Sequence, residues 1–369
     1  MATQQISFKF FHFGCWNLFA CEDGYPTENI IKDINSKNFE FGTLAGDNIY
    51  THAKNKHKTI YNSEKMIDGI KCINKLNIPV YVALGNHDID DDSCNMIDLQ
   101  LGVHGNWYLP TNFYYKIKYN SIFFVIDTNI LDVFDLTESK GNETYKCYGY
   151  GNNILVNKIK ANFYEMLNMF TILDNNSFDN IFIMGHIPII TAKEKGKDQQ
   201  SVKCSISNIK SFEQILDKLS ANQNIKKIYY LCADTHNYQH ITMKYGDMEI
   251  EQIIAGIGGA KQDHFNLCQE AANSMQQDLK DYITNDFIKH QNTKLKEIKL
   301  LNKSNNGEFG YIAINVNNNI VTHEFIGLGN DAQNTLYDAH GRVSKYKYGG
   351  YMMYMKHKAR YLELNDNFA

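Results

Sequence analysis

The most constraining feature of this sequence is a pattern that occurs four times: a short apolar run ends at a small residue, and polar side chains able to bind metal follow at once. A small residue lets the backbone turn and come close to a ligand. In open α/β sheets, ligands bind beyond the carboxyl ends of the strands. The pattern therefore predicts that four strand ends meet at one site. The apolar runs are 39–45, 80–84, 181–184 and 228–232, and the blocks after them are 46–50 (Gly-Asp-Asn-Ile-Tyr), 85–88 (Gly-Asn-His-Asp), 185–188 (Gly-His-Ile-Pro) and 233–236 (Ala-Asp-Thr-His).

The side chains in these blocks are the kinds that a two-metal site needs. Such a site holds its ions about 3.5–4 Å apart, and one carboxylate is needed to bridge them. Imidazole and amide groups can complete the coordination. A mixture of nitrogen and oxygen ligands suits Fe, Zn or Mn better than Mg. We therefore expect one or two divalent or trivalent ions of these elements.

The rest of the pattern predicts an α/β protein, because β-branched and aromatic runs alternate with amphipathic segments. Near the C-terminus, two alternating segments flank an Asn triplet, which is a hairpin signal. Further strands are predicted at 8–13, 122–126 and 249–255, helices at 28–35, 60–76, 155–173 and 209–219, and the hairpin strands at 310–316 and 320–326.

The four blocks, in this order, resemble the motifs of the calcineurin-like phosphoesterases. The motif in which a Tyr follows Asp47 by three residues resembles that of the purple acid phosphatase branch, and more narrowly that of the tartrate-resistant type. Segments 123–128, 230–232 and 256–260 add to the likeness, which covers about residues 7–327. The resemblance implies a four-layer α/β/β/α sandwich of two mixed sheets flanked by helices.

The resemblance also implies a role for each matching residue. Asp47 would bridge two metal ions. Tyr50 would bind the first ion as a phenolate, together with His236. Asn86 and His186 would bind the second ion.

The implied reaction is hydrolysis of a phosphoester by a metal-bound hydroxide, as in acid phosphatases. His87 would not bind metal; it would protonate the leaving group or stabilise the transition state. The substrate would be a phosphorylated small molecule or a phosphoprotein.

Three positions depart from the family pattern. Cys15 stands where the family has an Asp ligand of the first metal, and Asp234 replaces a His ligand of the second. A thiolate at Cys15 would favour zinc or ferrous iron, while Asp234 keeps an oxygen ligand. Lys195 replaces a second His, nine residues after His186, and offers positive charge but is a poor proton shuttle near neutral pH. These changes leave open a second interpretation, a catalytically impaired phosphatase fold that serves as a binding or structural component.

Composition limits the kinds of partner and the cellular compartment that we expect. The formal net charge of -4 on 369 residues gives no strongly basic face, so we expect neither nucleic acid nor an anionic membrane surface as a partner. There is no signal peptide pattern, and no run of about 18 apolar residues that would span a membrane. The 8 Cys are scattered without a C-x-x-C pair, so we expect reduced thiols and an intracellular location.

We expect one metallophosphoesterase domain over residues 1–329, with a polar, helical insertion at about 261–303. Residues 330–369 are rich in Tyr and basic side chains, without a strong period. They are predicted to form a C-terminal extension. The sequence does not indicate an oligomeric state.

Overall fold

The structure is a computed structural model, and it describes a set of segments that together make up most of the chain. These are residues 6–17, 25–50, 58–88, 94–129, 131, 153–173, 178–195, 203–208, 212–260, 262–263, 265–289, 294–304 and 308–330.

The first of two large sheets has seven strands and a parallel centre. In the order in which they pair, the strands are β16 (Ile320–Asn330), β15 (Glu308–Asn317), β1 (Ser7–Phe13), β2 (Phe41–Ala45), β3 (Val80–Ala83), β5 (Trp107–Leu109) and β4 (Gly102–His104). Strands β1, β2, β3 and β5 are parallel, while β15 and β4 are antiparallel to their neighbours. The parallel centre brings the carboxyl ends of β1, β2 and β3 to the same edge.

The second large sheet also has seven strands and a parallel centre. Its order is β14 (Leu295–Lys303), β12 (Tyr238–Tyr245), β13 (Met248–Ala255), β11 (Lys227–Cys232), β8 (Asn180–Met184), β7 (Ser121–Val125) and β6 (Tyr114–Lys118). Strands β7, β8, β11 and β13 are parallel. A separate antiparallel pair is formed by β9 (Ile190–Lys195) and β10 (Lys203–Asn208).

Helices lie against both sheets. They are α1 (Pro26–Asn35), α2 (Lys58–Ile73), α3 (Cys94–Gln100), α4 (Asn153–Ile172), α5 (Glu213–Ala221), α6 (Asn266–Ser274) and α7 (Leu279–Lys289). Helix α1 packs on β15 of the first sheet, and α4 packs on β6 of the second. In α1, the buried Ile30, Ile31 and Ile34 form the apolar stripe of an amphipathic helix. The expected α/β arrangement of two mixed sheets with flanking helices is confirmed.

An aromatic layer joins the facing sides of the two sheets. Phe10 and Phe41 of the first sheet stack on each other at 4.8 Å between ring centroids, and both meet Phe123 of the second sheet edge-on. Phe182 stacks on Phe123 at 4.5 Å and also meets Phe10. Burial of these large rings supplies much of the hydrophobic stabilisation that holds the sheets together.

The insertion predicted at 261–303 needs a correction at its end. The segment contains α6 and α7 as expected, but its last nine residues form β14, which pairs with β12. Leu295, Ile298 and Leu300 are buried while the Lys residues beside them are exposed. This edge strand was missed because its lysines masked the short apolar pattern. The hairpin predicted around the Asn triplet is confirmed by β15 and β16.

Two cysteines differ from the expectation of reduced thiols. Cys72 and Cys268 are disulfide-bonded, and both are buried. Cys15 and Cys232 are free and buried. Disulfide pairing depends on closeness in space, which scattered positions in a sequence do not reveal.

Contacts divide the chain into two compact units, Met1–Leu328 and Gly329–Ala369. The extension predicted at 330–369 lies, apart from Asn330, outside the described residues. Among the described helices, none has the length and apolar character needed to cross a membrane.

We expect Phe182→Ala to lower the free energy of unfolding by about 3–5 kcal/mol, because it leaves a cavity between the sheets. Tyr164→Ala is the control, since Tyr164 is 53% exposed on α4 and should cost about 0.5 kcal/mol or less. Urea unfolding of both variants measures the difference. Equal costs would contradict the role given to the aromatic layer.

Candidate metal centre

The candidate centre is built on three strand ends with the same unusual backbone. Cys15 follows β1, Asp47 follows β2 and Asp234 follows β11, with φ angles of 55°, 52° and 57°. This left-handed region is uncommon for residues other than glycine, and such backbone is found most often at functional sites. The strand ends also touch: the Cys15 amide donates to the Gly46 carbonyl at 3.0 Å.

Gly46 is required by close packing at this junction. Its φ is 81°, and a Cβ there would lie 2.5 Å from the Gly85 nitrogen and 2.8 Å from His186 Nδ1. Any side chain would push apart the strand ends that carry Asp47 and His186. The small residue at the end of this apolar run therefore has the role that the sequence predicts.

The Asp47 carboxylate lies at the centre of the cluster, and its two oxygens face different groups. Oδ2 accepts a hydrogen bond from the Tyr50 hydroxyl at 2.9 Å and contacts Cys15 Sγ at 3.8 Å. Oδ1 lies 3.2 Å from His186 Nε2 and accepts from the His87 amide at 3.0 Å. A carboxylate placed in this way can bridge two cations.

Cys15, Tyr50 and His236 form the group on the Oδ2 side. Tyr50 is buried, and its hydroxyl lies 3.2 Å from His236 Nε2. Cys15 is fully buried, which places its sulfur inside the cluster and away from solvent. The structure thus brings together the side chains predicted for the first metal.

His186, Asn86 and Asp234 form the group on the Oδ1 side. His186 Nε2 lies 3.0 Å from Asn86 Oδ1 and 3.8 Å from Asp234 Oδ1. On the other side of the ring, Nδ1 lies 2.6 Å from the Ala45 carbonyl, so Nδ1 must carry a proton. A backbone carbonyl that accepts from the second ring nitrogen is the usual support for a metal-binding His.

That tautomer has a consequence for His186 Nε2. In the neutral ring, Nε2 carries a lone pair instead of a proton. This lone pair faces the oxygens of Asp47, Asn86 and Asp234, which are also electron-rich. Only a cation removes this repulsion, either a proton or a metal ion. The donor set and its geometry therefore fit a metal ion.

The pKa values of His186 and Asp47 shift in opposite directions, because each residue stabilises the charge of the other. Burial lowers the pKa of His186, but the charge and hydrogen bond of Asp47, with Asp234, outweigh it and raise the pKa to about 9. Burial raises the pKa of Asp47, yet His186 and His87 hold it well below its usual range. Without metal, the proton on His186 balances the buried Asp47 charge.

Cys15 and Tyr50 are held in their protonated forms. Burial, and then the negative charge of Asp47, raise the pKa of the Cys15 thiol and of the Tyr50 hydroxyl well above their usual values. Both groups bind metals when deprotonated, so binding would have to release their protons.

The two predicted catalytic residues are placed unequally. The His87 ring is half-buried at the centre, 4.7 Å from the Tyr50 ring between centroids. Lys195 ends β9, where it pairs in register with Lys203. Its side chain lies outside the described residues, and its predicted role stays a prediction.

Asp88 supports the centre and was not assigned a role from the sequence. Its buried carboxylate accepts from the amides of Asn48 and Gly85 and from the side chains of Asn48 and Gln100. These bonds join the loops that carry Asp47 and Asn86. The signal was present, because Asp88 closes the Gly-Asn-His-Asp block, but Gln100 is distant in sequence.

Comparisons with known proteins show the family and the fold of this chain. The family model of calcineurin-like phosphoesterases matches residues 8–238. No curated protein matches the sequence significantly. A purple acid phosphatase from yellow lupin (Lupinus luteus) seeds is similar in fold, with a TM-score of 0.51 and 14% identity over 88% of this chain and 52% of that one. The chain therefore spans about half the length of the lupin enzyme.

Two further solved structures give lower scores. The anchor GAP50 in the inner membrane complex of Plasmodium has a TM-score of 0.47 and 14% identity, over 87% of this chain and 84% of that one. A dimetal phosphatase from Danio rerio has a TM-score of 0.42 and 10% identity, over 87% of this chain and 99% of that one.

We expect Asp47→Asn to remove most of the bound metal, because the neutral amide cannot bridge two cations. Asn tolerates positive φ, so the backbone at this position should persist. Asp247→Asn is the matched control, since Asp247 is fully exposed. Elemental analysis of purified protein measures the metal per chain. Unchanged metal content in Asp47→Asn would show that Asp47 is not a ligand.

Proposed function

Because the chain belongs to the calcineurin-like phosphoesterase family, we propose that it is an acid phosphatase-like hydrolase with a modified two-metal centre. The observation that carries the proposal is the position of Asp47, whose two oxygens face two separate ligand groups. A carboxylate used only for structure would not need side chains with metal-binding chemistry on both sides.

Each group would hold one metal ion, with Asp47 shared between them. Cys15, Tyr50 and His236 would bind the first ion. Asn86, His186 and Asp234 would bind the second. Bound ions would lower the pKa of coordinated water and neutralise charge on a phosphoryl group.

The remaining residues would orient the substrate and move protons. His87 is half-buried beside Tyr50, where its ring can meet a leaving group bound at the centre and donate a proton to it. Its own amide is fixed to Asp47, so the ring is held close to the metal ligands. Lys195 is proposed to supply positive charge to the phosphate.

The altered ligands favour particular metals. Cys15 adds a soft sulfur where a carboxylate would favour hard ions, and it therefore favours zinc or ferrous iron at the first position. Asp234 adds a second carboxylate near His186. The extra negative charge strengthens the attraction for a cation at the second position.

We propose a phosphorylated small molecule or a phosphoprotein as the substrate. The loops that would select it include 132–151, which lie outside the described residues. The disulfide-bonded Cys72 and Cys268 favour an oxidising compartment over the cytosol, because disulfides rarely persist under reducing conditions. We therefore propose an oxidising compartment, which can still lie inside the cell, in place of the reduced thiols that the sequence predicts.

One observation favours a second candidate function. The buried Cys15 thiol already contacts Asp47 Oδ2, and a protonated thiol leaves the first metal one ligand short. The chain could then be a binding or structural component that has lost hydrolysis. Metal content alone does not separate these functions, but hydrolysis does.

The test is hydrolysis of an aryl phosphate after loading the protein with Zn, Mn or Fe, assayed across about pH 4–9. We expect metal-dependent turnover that Asp47→Asn abolishes. Loss of a general acid typically costs about 10²–10⁴ in rate, so His87→Asn should lower kcat by that factor and keep the bound metal.

His104→Asn is the matched control for His87, since His104 is exposed and its ring bonds only the Leu101 carbonyl among the described residues. It should leave kcat unchanged. Metal-loaded protein without turnover under every condition would contradict the hydrolase and favour the binding or structural role.

A further inference from the structure

A second cluster of metal-binding side chains lies between the two large sheets, and the proposed hydrolase does not use it. His240 belongs to β12, Glu251 to β13 and His323 to β16. Glu251 pairs in register with Thr242 and with Tyr229. Because side chains alternate along a strand, His240 shares the face of Thr242, and so of Glu251.

That shared face points toward the first sheet. Tyr229, the register partner of Glu251, stacks on Phe182, which belongs to the aromatic layer between the sheets. The aromatic rings between the sheets are therefore followed, on the same face and toward β12, by the charged and polar side chains of this cluster. His323 comes from β16 at the edge of the first sheet and meets the other two across the gap.

The three ligand atoms lie within 4.8 Å of one another. Glu251 Oε1 is 3.1 Å from His240 Nε2 and 3.6 Å from His323 Nδ1. The two imidazole rings are perpendicular, with centroids 4.3 Å apart. One carboxylate oxygen and two ring nitrogens therefore converge on one point from three strands.

One nitrogen of this cluster lacks a hydrogen bond. Among the described residues, His240 Nε2 is inaccessible to solvent and makes no hydrogen bond, although Glu251 Oε1 lies 3.1 Å away. A buried polar atom without a partner costs about 1–3 kcal/mol. A buried ring nitrogen placed beside a carboxylate and a second imidazole is suited to coordinate a metal ion.

The other Glu251 oxygen is held by a separate partner. Lys227 Nζ lies 2.6 Å from Oε2, which leaves Oε1 facing the imidazoles. This lysine weakens the local attraction for a cation, but it also fixes the direction of the carboxylate.

The cluster is open to ions from solution. It lines a cavity of about 640 Å³ whose other walls include Lys303, Glu308 and Glu324. A small cation can therefore approach the three side chains through this cavity.

We propose that His240, Glu251 and His323 bind a divalent ion of the zinc type. Two imidazoles and one carboxylate form a set that zinc uses with one position left open. The ion would connect β16 of the first sheet to β12 and β13 of the second. The ion would therefore stabilise the packing of the two sheets at this edge.

The test measures zinc per chain after loading with Zn²⁺ and removal of the excess by desalting. His323→Ala should hold one zinc fewer than the wild-type chain. His104→Ala is the matched control and should hold the wild-type amount. Circular dichroism confirms that each variant is folded, and Zn²⁺ should raise the Tm of the wild-type chain more than that of His323→Ala.

Glu251→Gln is a second variant of nearly unchanged size, and it should also lose one zinc. In Asp47→Asn, which disables the other centre, the zinc that remains should disappear when His323→Ala is added. Equal zinc in the wild-type chain and in folded His323→Ala and Glu251→Gln would overturn the proposal. That result would leave the proposed hydrolase untouched.

Discussion

The candidate centre depends on one constraint, the buried Asp47 carboxylate fixed between two ligand groups. A buried charge is costly unless it is paired and hydrogen-bonded. Asp47 meets this condition with the His87 amide, the Tyr50 hydroxyl and the His186 ring. In the absence of metal, His186 supplies the balancing positive charge, because its raised pKa keeps the ring protonated. A metal ion bound there would supply positive charge in place of that proton.

The fold supplies the positions from which these groups converge. Parallel strands place Cys15 and Asp47 on one sheet edge, and the aromatic layer brings β8 and β11 of the second sheet against it. His12 makes a polar contact inside this packing, with Nε2 3.2 Å from the Cys232 carbonyl. The Asp88 hydrogen bonds then fix the loop that carries Asn86. A small shift of one sheet relative to the other would therefore change the distances between the side chains of the centre.

The sequence predicted the parts of this structure that depend on local pattern. Runs such as 181–184 are continuous and apolar because parallel strands are buried on both faces, and Gly185 marks where the chain turns. Pairings between distant segments could not be predicted. The disulfides of Cys72 and Cys268 are of this kind. So is the meeting of His240 with His323, which requires the edges of two sheets to be adjacent. Strand β14 was missed for a different reason, since exposed lysines interrupt its apolar positions.

Asp47 is proposed as a ligand shared by two cations, and anomalous diffraction from a zinc-loaded crystal tests this most directly. We expect two peaks about 3.5–4 Å apart, one near Cys15 and His236 and the other near Asn86 and His186, with Asp47 between them. A single peak on one side of the carboxylate would reduce the centre to one metal. Zinc-loaded crystals with no peak at Asp47 would contradict the account.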